Sequence, residues 1–252
     1  MKPALRKPPT FARDENFRSQ HGGKKIQYIW DYYKLPLAIL CIALYIIGYV
    51  LYGQLTHKDT VLYTALVNVN AGTDLTRGLG NDFLDYLDLD PSKNKLELYT
   101  GLYLTDDETN EYHEYTYASR MKIQAAIDGE LMDVVLMNRE AFDAFSQSGY
   151  LYDLEALLDE EDPGLYDLLS SDLVKNIVIL EDNSMDMLFD TSLTYSAETK
   201  EACYGIDLSH TVLISQAGFD EPVYLGIIAN SPRIDTVLDY LRYLFGNQNE
   251  HP

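Results

Sequence analysis

Hydrophobic positions along this chain form one long unbroken run and then a series of short ones. The run at 35–53 has no charged residue in 19 positions, about 28 Å as an α-helix at roughly 1.5 Å per residue, against a hydrocarbon core of about 30 Å. One transmembrane helix is therefore predicted at 35–53. Tyr28, Trp30, Tyr32 and Tyr33 precede it, and Tyr49 and Tyr52 lie near its end, where aromatic girdles meet the headgroups. The residues that follow, 52–58, supply no small-residue cleavage pattern, so the helix reads as an uncleaved anchor. Cys41 lies mid-run behind Leu40, which does not suit a lipid-attachment site, and is expected simply to face the bilayer.

Beyond the anchor the periods shorten. Residues 60–69 are rich in β-branched and apolar side chains and read as a strand buried on both faces. Leu75, Leu79, Phe83, Leu84 and Leu87 follow at helical spacing, with Thr73 as N-cap. Leu96, Leu98, Leu102 and Leu104 alternate with Glu97, Tyr99, Gly101 and Tyr103, predicting a second strand. A helix is expected over 111–127 with Met121, Ala125 and Ile127 inward, then a short apolar strand at 132–137. Helical segments follow at 140–148, at 153–158 with Asp153 as cap, and near 165–174, with a short strand at 177–180 among acidic loops. At the end, 223–229 reads as a strand, Ser231 as N-cap and Pro232 as first helical residue. Ile234, Val237, Leu238, Leu241 and Leu244 form the stripe of a helix that stops at Gly246.

This order of elements, joined by connections of a dozen or more residues, predicts an α/β domain with a parallel-type sheet flanked by helices, preceded by the transmembrane helix. Three segments result: a basic tail at 1–34, the span at 35–53 and an α/β body at 54–252.

Charge sets the orientation. Eight Lys and Arg against three Asp and Glu precede residue 35, whereas the twenty residues after Gly53 offer only Lys58. The positive-inside rule thus places the N-terminus in the cytoplasm and the body outside, as a single-pass protein of the cell membrane. The whole chain carries a formal charge of −21, and with the basic head set aside the body is more acidic still. Such a surface repels nucleic acid, which is excluded as a partner. Cys203 is the only cysteine after the anchor, so the body holds no internal disulfide and is expected to bury that thiol as a small hydrophobe.

Two stretches, Ile127-Asp-Gly-Glu-Leu-Met-Asp-Val-Val-Leu-Met-Asn138 running on to 145–158, and Val223-Tyr-Leu-Gly-Ile-Ile-Ala-Asn-Ser231 with its helix, resemble extracellular solute-binding proteins of ABC importers, the type 2 periplasmic-binding fold. The resemblance is one of pattern and order over 60–160 and 220–246. It implies a main lobe from those residues and a reduced second lobe from 163–222. It also implies noncovalent capture of a small solute, or service as an accessory subunit of a membrane transport complex beside a permease. The other reading is a ligand-free interaction or assembly subunit at the cell surface.

Candidate chemistry follows the rule that ligands of open α/β sheets sit beyond the carboxyl ends of the strands. It nominates Asn68 and Asn70, Asn138 and Arg139, and Asn230 and Ser231, whose amides and guanidinium suit a neutral or anionic solute; helix capping and turn formation would use the same residues. Tyr99, Tyr103, Tyr112, Tyr115 and Tyr117 offer stacking faces or a protein-binding surface, or plain sheet packing. Asp88, Asp90 and Ser92 alternate oxygens in a way calcium favours, but an EF-hand register from Asp88 has Lys93 at its sixth position and Tyr99 at its twelfth. The five His form no H-E-x-x-H pair, and no G-x-S-x-G elbow, P-loop or dinucleotide fingerprint occurs. Neither an enzyme nor a cofactor is expected.

Overall fold

The computed structural model describes residues 22–107 and 109–246; side chains of 22–34, 37 and 54–56 lie outside that description. The tail at 1–21 and the side chains of Tyr28, Trp30, Tyr32 and Tyr33 are thus outside the described residues. The chain divides into two compact units, the first ending at His57 and the second starting at Lys58.

The first unit contains helix α1 (Gly22–Thr56), which runs through the whole of 35–53 and takes Pro36 inside it. Its apolar side chains are largely uncovered: Ile39, Ile46 and Leu51 are 58%, 55% and 53% exposed. Among the described residues no helix is long and apolar enough to cross a membrane.

The second unit opens with β1 (Asp59–Val67) and two short helices, α2 (Thr73–Leu79) and α3 (Asn81–Tyr86). The single helix expected from the leucine spacing is broken at Gly80, whose backbone leaves helical geometry. Then come β2 (Asn94–Leu102), α4 (His113–Asp128), β3 (Val134–Met137), α5 (Arg139–Gln147), α6 (Leu154–Glu161) and α7 (Pro163–Leu169). A long hairpin follows, β4 (Leu173–Asp182) and β5 (Ala197–Asp207), with α8 (Ser184–Met187) between its strands. The chain closes with α9 (Val212–Ala217), β6 (Tyr224–Ile227) and α10 (Ile234–Gly246).

The six strands form one sheet in the order β2-β1-β3-β6-β5-β4. β1 pairs in parallel with β2 and β3, with Thr64 opposite Val134 and Val67 opposite Met137. β6 lies antiparallel to β3 and to β5, and β5 antiparallel to β4. The parallel-type sheet expected from the sequence is therefore corrected to a mixed one. β6 is buried over Leu225–Ile227 on both sides, so its composition reads the same in either direction, and the return through the hairpin delivers it reversed.

Pleating sorts the core into two layers. Leu62, Leu66, Val134, Leu136, Leu225 and Ile227 face one side, covered by α2, α3, α6, α7, α9 and α10. Ala65, Val67, Val135 and Met137 face the other, covered by α4 and α5 through Ile123, Ala126, Ile127, Phe142 and Phe145. This strict alternation is what a strand buried on both faces requires. Gly205 and Gly226 open room in the second layer, since a Cβ on Gly205 would stand 2.7 Å from the Phe142 ring.

Residues 163–222, expected as a small lobe, put β4 and β5 into this same sheet, within one compact unit. The helix expected at 165–174 stops at Leu169, and the short strand at 177–180 is the middle of a ten-residue one. On α4 the inner face is Thr116, Ser119, Ile123, Ala126 and Ile127, while Met121 is 57% exposed.

Candidate functional site

The nominated strand-end residues do not converge on one place. β3 and β6 run in opposite directions, so Asn138, after β3, and Asn230 and Ser231, after β6, lie at opposite ends of the sheet. Asn230 donates to the Ile127 carbonyl at 2.8 Å, and Ser231 donates its hydroxyl to Asp133 at 2.6 Å. Both are engaged within the fold. Asn138 caps α5 by accepting from Ala141 N–H, and the same oxygen accepts from the Asn68 amide at 3.1 Å. Arg139 pairs with Asp143 at 3.0 Å and lies over the rings of Phe142 and Tyr224, and Asn176 of β4 donates to the same Asp143 oxygen. The Asn138–Arg139 corner is therefore occupied by side chains of the chain itself.

An opening lies one strand over, beyond the carboxyl ends of β1 and β2. It is a cleft of about 640 Å³ that brings together Asn68, Asn70, Tyr103, Tyr112 and Tyr115 from the two separately nominated groups. Gly101 lines it in a left-handed conformation, φ +69°. α4 presents Tyr115, Ser119 and Lys122 to it, residues four and three apart and so on one helix face. Tyr99 and Tyr117 are not among its walls.

Local chemistry explains how the cleft is held open. Asn68 ends β1 in the left-handed region, φ +58°, which Asn tolerates better than most residues. There its side chain grips the loop after β2, accepting from Leu104 N–H at 2.8 Å and donating to the Leu104 carbonyl at 2.7 Å. Tyr103 N–H donates to the Ser119 hydroxyl, and Thr105 N–H to the Thr116 hydroxyl. The Thr105 hydroxyl and Asp106 N–H both donate to Glu140 at the start of α5. Asn68 is thus a cleft-shaping residue whose amide is already engaged.

What remains for a ligand is aromatic and polar. Tyr103 and Tyr112 meet edge to face at 5.5 Å, and Tyr115 is tilted against Tyr112 at 6.2 Å. The Tyr112 hydroxyl is held protonated above its ordinary range by its hydrogen bond to Glu111. Lys122 projects its ammonium over the Tyr99 ring at 5.4 Å and forms no ion pair among the described residues. The described walls contain one cation and no Asp, Glu, His or Cys, so they offer aromatic faces, hydroxyls, an amide and a positive charge. Lys122 and Ser119 were not legible as site residues because their signal is helical phase relative to a loop seven or more residues away.

A second constellation is buried at the opposite end of β3. Asp133, fully buried, accepts from Tyr63 N–H at 2.8 Å, the Ser231 hydroxyl and Arg233 Nε at 2.8 Å. Arg233 also donates to the Glu130 carbonyl and lies over the Tyr63 ring at 4.6 Å. Every partner is satisfied within the fold, so this is a clamp joining β1, β3 and the segment before α10.

The calcium candidates are used locally: Asp90 accepts from Ser92 N–H at 2.9 Å, which holds its carboxyl below the usual range, and Asp88 takes a left-handed turn. Among the described residues no group of three or more His, Cys, Asp or Glu side chains is placed to hold a metal ion. Cys203 is buried, and burial pushes its thiol up, away from the reactive thiolate. No family model matches the chain, and neither does any curated protein or solved structure compared with it.

Proposed function

We propose that this chain is a membrane-tethered, cell-surface module that captures a small solute in the Tyr103–Tyr112–Tyr115 cleft, as a solute-binding component or accessory subunit of a membrane transport complex. The observation that carries the reading is the cleft itself, beyond the carboxyl ends of two parallel strands and within the size range of small-molecule sites. Its clustered phenol faces suit a ring, and Lys122 with Asn70 suits hydroxyl or acidic substituents. Capture rather than conversion fits described walls that bring hydroxyls, an amide and one amine together without a carboxylate, imidazole or thiol beside them.

Tethering is supported by α1, whose apolar side chains over 38–53 are exposed and whose flanking charges are asymmetric. Protease added to intact cells should digest the body and spare the basic head; the reverse pattern would refute this orientation.

The binding test is a thermal-shift screen of the full chain in detergent micelles against neutral sugars, uronic acids, amino acids and short peptides. Ligand at about 100 times its dissociation constant adds roughly 2.7 kcal/mol of apparent stability. A saturable shift that Tyr112→Ala and Lys122→Gln each abolish, without altering the unliganded melt, is expected. A cooperatively melting sample that shifts with no compound would overturn solute capture. The rival reading, a ligand-free interaction subunit, is favoured by a different observation, the exposed end of the β4–β5 hairpin.

A further inference from the structure

The β4–β5 hairpin outruns the sheet that carries it. β5 pairs with β6 only at Ile206 and Asp207, whereas it pairs with β4 from Ile206 out to Ala197. Beyond its buried base the hairpin is thus a two-stranded ribbon, and such ribbons are marginal in water unless something else stabilises them. This one is held by polar groups. Asn183 accepts from Ser196 N–H at 2.8 Å and donates to the Thr194 carbonyl at 2.9 Å. Asp182 accepts from the backbone and hydroxyl of Ser184, and Asp190 does the same for Ser192.

With the turns fixed by these bonds, the large side chains point outward: Met185, Leu188 and Phe189 are 65%, 73% and 87% exposed. A tip ordered by its own hydrogen bonds while showing water three long apolar side chains in five residues is what an interaction surface requires, not what a core-forming segment does. Its charge is one-sided. Between residues 176 and 199 there are five acids, Glu181, Asp182, Asp186, Asp190 and Glu198, and no Lys or Arg. Two such tips facing each other would set like charges together, and anionic lipid headgroups would be repelled as well.

We propose that the ribbon tip docks a protein partner that presents an apolar pocket rimmed by Lys and Arg, with Leu188 and Phe189 as anchors and the acids as the steering rim. This inference stands independently of the cleft.

The experiment places photoreactive benzoylphenylalanine at position 189 of the full chain, in the cells that make it, with the same group at exposed Tyr117 as control. Expected is a heteromeric adduct at 189 and not at 117, mapping to a partner peptide with apolar residues flanked by Lys or Arg. The quadruple variant Glu181→Gln, Asp182→Asn, Asp186→Asn, Asp190→Asn keeps the side-chain acceptors of the turns but removes the charge, and should cut adduct yield tenfold or more. A circular-dichroism melt confirms that this variant is folded. An adduct between two copies, an adduct with lipid alone, no adduct, or a yield unmoved by removing the charge would each overturn the proposal.

Discussion

Asp133→Ala tests whether the buried clamp holds the sheet together. The substitution deletes a carboxylate with no exposure that takes three hydrogen bonds, from Tyr63 N–H, the Ser231 hydroxyl and Arg233 Nε. It strands the Arg233 guanidinium, only 24% exposed, with the Glu130 carbonyl and the Tyr63 ring as its remaining partners. Breaking a buried pair from one side costs about 3–5 kcal/mol, and each buried group left unsatisfied about 1–3 kcal/mol. These contributions overlap because they describe the same lost contacts, so a loss of about 4 kcal/mol is expected. For a domain of this size that corresponds to a fall in Tm of roughly 8–16 °C. Asp133→Asn, which keeps an acceptor and the shape, should lose about half as much. The double variant Asp133→Ala, Arg233→Met should recover part of the loss, because no unpaired charge is left behind. Urea unfolding of the full chain in micelles, followed by far-UV circular dichroism, gives the free energies and shows whether the denaturant slope is unchanged. A loss under about 1 kcal/mol for Asp133→Ala would refute the clamp as a stabilising element.

Two further outcomes follow from the same geometry. Asn68→Ala forfeits the bonds to Leu104 and forces a Cβ-bearing residue without a compensating amide at φ +58°, for an expected loss of about 2–3 kcal/mol; Asn68→Gly, relieved of the left-handed cost of about 1–2 kcal/mol, should be the milder variant, and equal melts would refute the conformational account. Asp162 caps α7 by accepting from Leu165 N–H and pairs with Arg242 at 2.5 Å, which together hold its carboxyl below the ordinary range. Its contribution is therefore complete above the unfolded value of about 3.9 and is lost as pH falls through the lower folded value. The Tm gap between wild type and Asp162→Asn, which keeps the capping oxygen, should be widest above pH of about 4 and close below it; a pH-independent gap would contradict that sign.

The elements that announced themselves were those whose own burial is periodic. β1 and β3 are apolar on both faces, α10 carries a clean stripe, and Asn138 caps α5 as its position before a helix suggests. β5 was missed because its outer half, Glu198 to Glu201, is exposed and charged; its strand state comes from pairing with β4, which leaves no alternation in the side chains. On α4 the true inward face is mixed, with Thr116 and Ser119 beside Ile123 and Ala126, so hydrophobicity alone set the phase wrongly at Met121.

The site divides along the same line. Its residue types, tyrosines around β2 and amides after β1, stand in the sequence as clusters, and Asn68 and Asn70, nominated by the strand-end rule, line the cleft. The same rule failed for Asn230 and Ser231, because it presumes strand direction, and a fully apolar strand carries no mark of direction. By itself the sequence determined that 35–53 is helical, the α/β character of the body and the charge step between head and body, because these depend on contacts within a few residues or on composition; the caps expected at Thr73 and Ser231 were each displaced, α2 starting at Thr73 behind Gly72 and α10 only at Ile234. The tertiary structure alone decided that β6 runs antiparallel, that 163–222 extend one sheet, and that Asp133 meets Arg233. It also decided that Lys122 joins three tyrosines in one cleft, because each of these depends on which distant segments pack together.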